Sequence, residues 1–130
     1  MELTKGRILL VEDHEDTCEL MIAVLEQSKY EVWPACTVAD GMRLARSERF
    51  DLYVLDQRLP DGTGAELCQQ LRQLHPCTPI LFLSAAIYEA DRQRALSAGA
   101  DSFLKKPNDF KNLVPTISQL LTNKEDRVAA

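Results

Sequence analysis

In Asp51–Gly64, D-L-Y-V-L-D-Q-R-L-P-D-G-T-G, a short apolar run ends in a carboxylate and a sharp turn. Leu52 to Leu55 shows no polar alternation, the pattern of a strand covered on both faces. The run stops at Asp56, and Pro60, Asp61, Gly62 and Gly64 supply the turn chemistry that follows. A strand buried on both faces belongs to a sheet between two helical layers. The carboxyl end of such a strand is where open α/β sheets bind ligands. Asp56 stands at that end. Taken alone it serves equally well as a loop cap, so the residues that converge on it decide its role.

Outward from this strand, short apolar runs alternate with helical patterns. Upstream, Ile8–Val11 is a continuous strand run, and after E-D-H-E-D the residues Cys18, Met21, Ile22 and Leu25 predict a helix from about Asp16 to Gln27. Tyr30–Ala35 alternates, and Pro34, lacking an amide donor, assigns it to a sheet edge. Thr37 is an N-cap for a helix to about Ser47 with Val38, Met42 and Ala45 turned inward. Downstream, a helix from about Gly64 carries Leu67, Cys68, Leu71 and Leu74 as one stripe. Ile80–Leu83 is the next strand, ending in Ser84; a small-residue helix over about Tyr88 to Ala98 stops at Gly99. Ser102–Lys105 is the fifth strand and precedes Lys106-Pro107. The last helix begins near an Asp109 cap and turns Phe110, Leu113, Val114, Ile117, Leu120 and Leu121 to one face. Pro115 removes a donor inside its second turn and predicts a bend or a late start. Residues 1–122 form the domain, and 123–130 are expected to fray as a polar tail.

Five β–α units imply an α/β fold: a flavodoxin-like, doubly wound five-stranded parallel sheet with helices on both faces. Right-handed crossovers favour the order 2-1-3-4-5. Strands one, three, four and five then deliver Glu12 and Asp13, Asp56, Ser84 and Lys106 to a common rim.

The totals agree with one globular domain: 130 residues, 45% hydrophobic and 27% charged. Net charge is −5, with 15 basic against 20 acidic residues, and no clustered basic face suits nucleic acid. No apolar run approaches the ~20 residues that cross a bilayer, and the amino-terminal M-E-L-T-K-G-R lacks a secretory segment. Cys18, Cys36, Cys68 and Cys77 show no C-x-x-C spacing, and Cys18 and Cys68 fall on apolar helical faces. Free, buried thiols in a reducing cytoplasm are expected.

Three carboxylates close together demand a counter-charge. At ~4 Å and an effective dielectric near ~20, each like-charge pair costs on the order of 4 kcal/mol. Either one carboxyl holds a proton or a cation holds them all. A few oxygen ligands on an open loop suit Mg²⁺. A hydroxyl at Ser84 and an ammonium at Lys106 are what a phosphoryl group on Asp56 would require around its oxygens.

With these residues in this order, the chain resembles the receiver domains of two-component response regulators, akin to the single-domain chemotaxis regulators. The resemblance covers roughly residues 7–122. It rests on Glu12-Asp13, the D-x-x-L-P-x-x-x-G pattern from Asp56 to Gly64, Ser84-Ala85, Ala98-Gly99-Ala100 and Lys106-Pro107. It implies Asp56 as phosphoacceptor, with Mg²⁺ held by Asp13, Asp56 and the main-chain carbonyl of Gln57, and by Glu12 through water. It further implies that Ser84 swings toward the phosphoryl group and that Lys106 contacts Asp56 and then its phosphate. Lys105 is sent elsewhere by strand alternation. A cis Lys106–Pro107 bond is expected. Phe103 occupies the place of the aromatic switch partner and, lacking a hydroxyl, acts through packing alone.

The implied protein is a signalling regulator rather than an enzyme. Asp56 takes phosphoryl from the phosphohistidine of a sensor histidine kinase or a histidine phosphotransfer protein. The result switches the face built from the fourth helix, fifth strand and last helix, and the resemblance admits a homodimer through that face. No nucleic-acid or membrane contact is expected. Arg58 and Ala86 depart from common family choices, and Ala86 offers no polar group to orient water, so slow self-dephosphorylation is expected. His14 is read as a solvated imidazole rather than a ligand. An acidic E-D-H-E-D loop excludes a flavin phosphate cradle, Arg58 stands where a haloacid-dehalogenase-type phosphatase needs its second acid, and no Walker loop is present. A phosphorylation-independent interaction module of the same fold is the remaining rival.

Overall fold

The computed structural model describes residues 4–85, 89–106 and 109–129, with side chains as far as residue 123. The elements are β1 (Gly6–Val11), α1 (Glu15–Gln27), β2 (Tyr30–Ala35), α2 (Val38–Ser47), β3 (Leu52–Leu55), a short hairpin of β4 (Arg58–Leu59) and β5 (Gly62–Thr63), and α3 (Gly64–Leu74). They continue with β6 (Ile80–Ser84), α4 (Glu89–Ser97), β7 (Ser102–Lys105), a single 3₁₀ turn Phe110–Asn112 and α5 (Leu113–Ala129). The main sheet is parallel throughout in the order β2-β1-β3-β6-β7, which is the predicted 2-1-3-4-5 arrangement once the hairpin is set aside.

The apolar runs explain the burial. Every residue of β3 and of β6 is buried, because alternate side chains enter opposite helical layers. One layer gathers Leu9, Val11, Tyr53, Leu55 and Phe82 with Leu67, Cys68 and Leu71 of α3 and Ala95 of α4. The other gathers Ile8, Leu10, Val54, Leu81 and Leu83 with Met21 and Leu25 of α1 and Leu113 and Ile117 of α5. Pro34 lies on the edge strand, as its missing donor requires. Thr37 caps α2 by accepting the Asp40 amide at 3.0 Å. Gly99, at φ +111°, ends α4 in the left-handed region.

Several local expectations are corrected. Leu74 is not inward: at the carboxyl end of α3 it is 38% exposed, beyond the reach of the sheet. Asp109 does not cap the last helix; its carboxylate accepts the Lys105 amide at 2.8 Å and closes the loop behind Lys106. The late start predicted from Pro115 is observed. The 3₁₀ turn precedes α5, so Pro115 falls in the first helical turn, where its missing N–H would have had no partner. Helix α5 then continues to Ala129 through the segment expected to fray, since no glycine or proline interrupts it after Pro115. All four cysteines are free, yet Cys36 and Cys77 are exposed rather than buried. Both follow the end of an element, outside the apolar faces that hold Cys68 and partly cover Cys18. Among the described residues, no helix is long and apolar enough to cross a membrane.

Candidate functional site

The rim is assembled by backbone hydrogen bonds that extend the strand ladders beyond the last side chains of the core. The Glu12 amide donates to Ala35 at 2.9 Å, the Asp56 amide to Val11 at 3.0 Å and the Lys106 amide to Ser84 at 2.9 Å. Each bond fixes one site residue against the neighbouring strand. Glu12 and Asp56 thus meet across the β1–β3 pair, and Ser84 and Lys106 across the β6–β7 pair.

Oxygen atoms of Glu12, Asp13 and Asp56 lie within 4.8 Å of one another. Glu12 is buried, Asp56 half-buried and Asp13 exposed. The Lys106 ammonium reaches in from β7, donating to Glu12 Oε1 and to Asp56 Oδ2, the latter at 3.3 Å. Burial of Glu12 pushes its carboxyl up to about 7, helped by its hydrogen bond with Asp56 and opposed by Lys106. Burial and Asp56 thus favour the protonated form of Glu12, while the Lys106 ammonium favours its carboxylate and offsets the charge of the cluster. Lys105 is exposed.

Asp56 is oriented by its own loop. Its Oδ1 accepts the Gln57 amide at 2.7 Å. Buried Gln57 turns its side chain to the start of α3, where Oε1 accepts the Ala65 amide at 3.1 Å. Gly64 must lie against Asp56: a Cβ there would stand 2.2 Å from the Asp56 carbonyl oxygen. The Gln57 carbonyl, expected from the resemblance to face a cation, already accepts the Gly64 amide at 2.8 Å. Only its second lone pair is left for a metal. In the Arg58–Thr63 register of the hairpin, that same bond turns the Arg58 carbonyl away from β5.

Ser84 is buried at the end of β6. Phe103 is half-buried and stacks on Phe82, with ring centroids 6.3 Å apart and planes at 17°. His14 has a local structural partner. Its Nδ1 caps α1, accepting the Thr17 amide at 3.3 Å, a role that histidine's low rank among capping residues concealed from the sequence. Also missed was Asp61, whose carboxylate accepts the Val38 amide at 2.7 Å and the Ala39 amide at 3.0 Å, docking the hairpin on α2. Ala86 and Pro107, and with them the Lys106–Pro107 bond, lie outside the described residues.

A groove of about 550 Å³ opens over the cluster, lined by Asp13, His14, Leu20, Asp56, Arg58 and Lys106 among others. A larger hollow, about 770 Å³, lies at the opposite end of the sheet between the ends of α2 and α3; none of the rim residues lines it.

A hard-oxygen carboxylate cluster with one ammonium fits a divalent cation of the Mg²⁺ kind. The model of the response regulator receiver domain family matches residues 8–118, and the chain belongs to that family. A probable transcriptional regulatory protein of Picosynechococcus sp. is 36% identical over 129 residues, covering 94% of this chain and 51% of that protein. The alkaline phosphatase synthesis transcriptional regulatory protein PhoP of Bacillus subtilis is 36% identical over 119 residues, covering 92% of this chain and 50% of that protein. The chain thus spans about half the length of these curated relatives. The crystal structure of a CheY-like response regulator receiver domain protein from Methanospirillum hungatei matches with a TM-score of 0.89 at 29% identity, covering 97% of this chain and 99% of that one. Receiver domains of two-component systems bind a divalent metal at an acidic cluster and interact with histidine kinases, and Glu12, Asp13 and Asp56 fit that arrangement.

Proposed function

We propose that Asp56 accepts a phosphoryl group from the phosphohistidine of a sensor histidine kinase or histidine phosphotransfer protein, with Mg²⁺ as the cation. The observation that carries this reading is the Lys106 ammonium, held from a separate strand at 3.3 Å from Asp56 Oδ2 and bonded to buried Glu12. A lysine that served only to neutralise surface acid would not need three strand ends to place it.

In the proposed reaction an Asp56 carboxylate oxygen attacks phosphorus, the P–N bond to the donor imidazole breaks, and that nitrogen regains a proton. Asp13 and Asp56 would hold the cation, with Glu12 acting through water; when bound, it neutralises charge on the transferring oxygens. For the main-chain ligand, Gln57 has its second lone pair to give, and the Arg58 carbonyl is the competing candidate because the hairpin leaves it turned outward. Lys106 moves with the transferred charge and contacts the phosphoryl oxygens. Ser84 donates its hydroxyl to one of them. The added ~1.5–2 negative charges then pull Ser84 toward the rim, Phe103 packs inward, and the face made by α4, β7 and α5 changes. Homodimer formation through that face, a cytoplasmic setting, and slow self-dephosphorylation from Arg58 and Ala86 belong to the same reading. Replacing Ala86 by Glu should shorten the acyl-phosphate lifetime.

The test is to incubate the protein with Mg²⁺ and a small phosphodonor such as acetyl phosphate, then map the modified residue by mass spectrometry. Label is expected on Asp56, absent in Asp56→Asn and absent with EDTA. A folded protein that stays unlabelled at Asp56 with every competent donor overturns the reading.

A further inference from the structure

The loop that carries Asp56 is tied at its tip to a separate element. Asp61 stands in the turn Pro60-Asp61 between β4 and β5. Its Oδ1 accepts the Val38 amide at 2.7 Å and its Oδ2 the Ala39 amide at 3.0 Å, so both oxygens close on the start of α2. Among the described residues no other hydrogen bond joins the hairpin to α2. These two bonds hold the Asp61 carboxyl below its ordinary value, as expected of an anion at a helix start. Helix α2 does not need this carboxylate to begin. Thr37 caps it by accepting the Asp40 amide at 3.0 Å, and the Gly41 amide turns back to the Thr37 carbonyl at 3.0 Å. The amides that Asp61 takes lie at the surface, where water would satisfy them. What the clasp fixes is the hairpin.

The clasp also closes a ring around the acidic rim. The Asp56 amide donates to Val11, the residue before Glu12, at 3.0 Å, and the Glu12 amide donates to Ala35 at 2.9 Å. From Ala35 the chain passes through Cys36 and Thr37 into α2, where Asp61 is bound, and the hairpin leads back through Arg58 and Gln57 to Asp56. We propose that Asp61 is a positioning residue for the phosphoryl-transfer site: by clasping α2 it holds the carbonyls of Gln57 and Arg58 at the spacing from Glu12 and Asp13 that a divalent cation requires. The proposal rests on the reading of Asp56 as a phosphoacceptor beside such a cation, and adds to it the residue that keeps the two halves of the ligand set in register. Glu12 and Asp13 follow β1 directly, whereas the two carbonyls lie on a loop that pairs only with itself beyond β3. Released from α2, that loop would have to be ordered by the cation, and the cost would appear as lost affinity.

The experiment compares variants of the whole chain, first without metal and then with Mg²⁺. In EDTA, amide exchange followed by NMR should be about tenfold faster at Gln57 and Gly64 in Asp61→Ala than in the wild type. The Kd for Mg²⁺, read from the rise in melting temperature on titration, should weaken about tenfold in Asp61→Ala. Asp61→Asn, which keeps one acceptor oxygen, should fall between the two. Thr37→Ala removes the local cap of the same helix. It should lower the melting temperature by ~3–6 °C and leave the Mg²⁺ affinity and both amides as in the wild type. Asp40→Asn, which removes a like charge from the same helical turn, should also bind Mg²⁺ as the wild type does. Wild-type Mg²⁺ affinity in Asp61→Ala, or an equal weakening in Thr37→Ala or Asp40→Asn, would overturn the proposal. A wild type with no saturable response to Mg²⁺ would overturn it together with the cation site. Should the variants rank as expected while Asp56 is never labelled, the phosphoacceptor reading falls and the positioning role of Asp61 stands.

Discussion

At the scale of the residue, Glu12 and Lys106 set the state of the rim. The folded carboxyl of Glu12 is pushed to about 7 from the ordinary 4.5, first by burial and then by Asp56. A group that holds its proton more tightly when folded stabilises the fold fully below its unfolded value, and that contribution is lost as pH rises through the folded value. Without metal, stability should therefore fall as pH climbs from 4.5 to about 7, by on the order of 3 kcal/mol. Glu12→Gln should flatten that slope. Magnesium competes with the proton for the same oxygens, so its affinity should rise over the same window. Thermal melts in EDTA and in Mg²⁺ across that range check both statements; equal slopes for wild type and Glu12→Gln would contradict them. Lys106 acts in the other direction, offsetting both Glu12 and Asp56. Lys106→Ala should slow labelling of Asp56 by about 10²-fold and move the pH-dependent fall to higher pH, because nothing then opposes the upward push on Glu12.

At the scale of the element, the loop from β3 to α3 does the positioning. Gly64 is needed there because of space, not because of its φ. An added Cβ meets the Asp56 carbonyl oxygen at 2.2 Å and the Phe82 ring at 2.8 Å, neither of which can swing aside. Gly64→Ala should cost about 1–3 kcal/mol and slow labelling as well, since the atom displaced is in the phosphoacceptor's own peptide. Gly62→Ala is the control: its nearest neighbour is Glu66 Oε2 at 3.0 Å, the far end of a flexible side chain. Urea denaturation of the two variants should separate them, and equal losses would show that the contact at Asp56 is not the cause. At this scale the sequence is readable where the chemistry is local. Thr37 and Gly99 announce a cap and a stop, and Pro115 announces a delayed helix. It is unreadable where a side chain is claimed from a distance, as Asp61 is by α2, because spacing along the chain carries no information on that partner.

At the scale of the whole molecule, the sheet order followed from uninterrupted apolar runs and right-handed crossovers, and the rim followed from the order. That is why Glu12, Asp56, Ser84 and Lys106 could be placed together before any distance was known. What the pattern does not contain is the electrostatic state of the cluster, the upward push on the Glu12 carboxyl above all, since that depends on burial and three-dimensional approach. The same sheet also joins the rim to a distant surface. Phe82 and Phe103 are register partners in β6 and β7, stacked at 6.3 Å, and Ser84 lies two residues beyond Phe82, so strand alternation puts it on the same side. That side is the layer containing Ala95 of α4. Under the proposed switch, a pull on Ser84 would be delivered to Phe103 and to the underside of α4, with no hydroxyl at position 103 to form an alternative link. Beryllofluoride with Mg²⁺, which mimics the acyl phosphate, should change amide hydrogen exchange both around Asp56 and along α4 and β7. In Phe103→Ala the change around Asp56 should persist while that in α4 and β7 is lost; Phe103→Tyr, which keeps the ring, should retain both, and Asp56→Asn neither. Undiminished exchange changes in α4 of Phe103→Ala would mean that the signal crosses the sheet by another route.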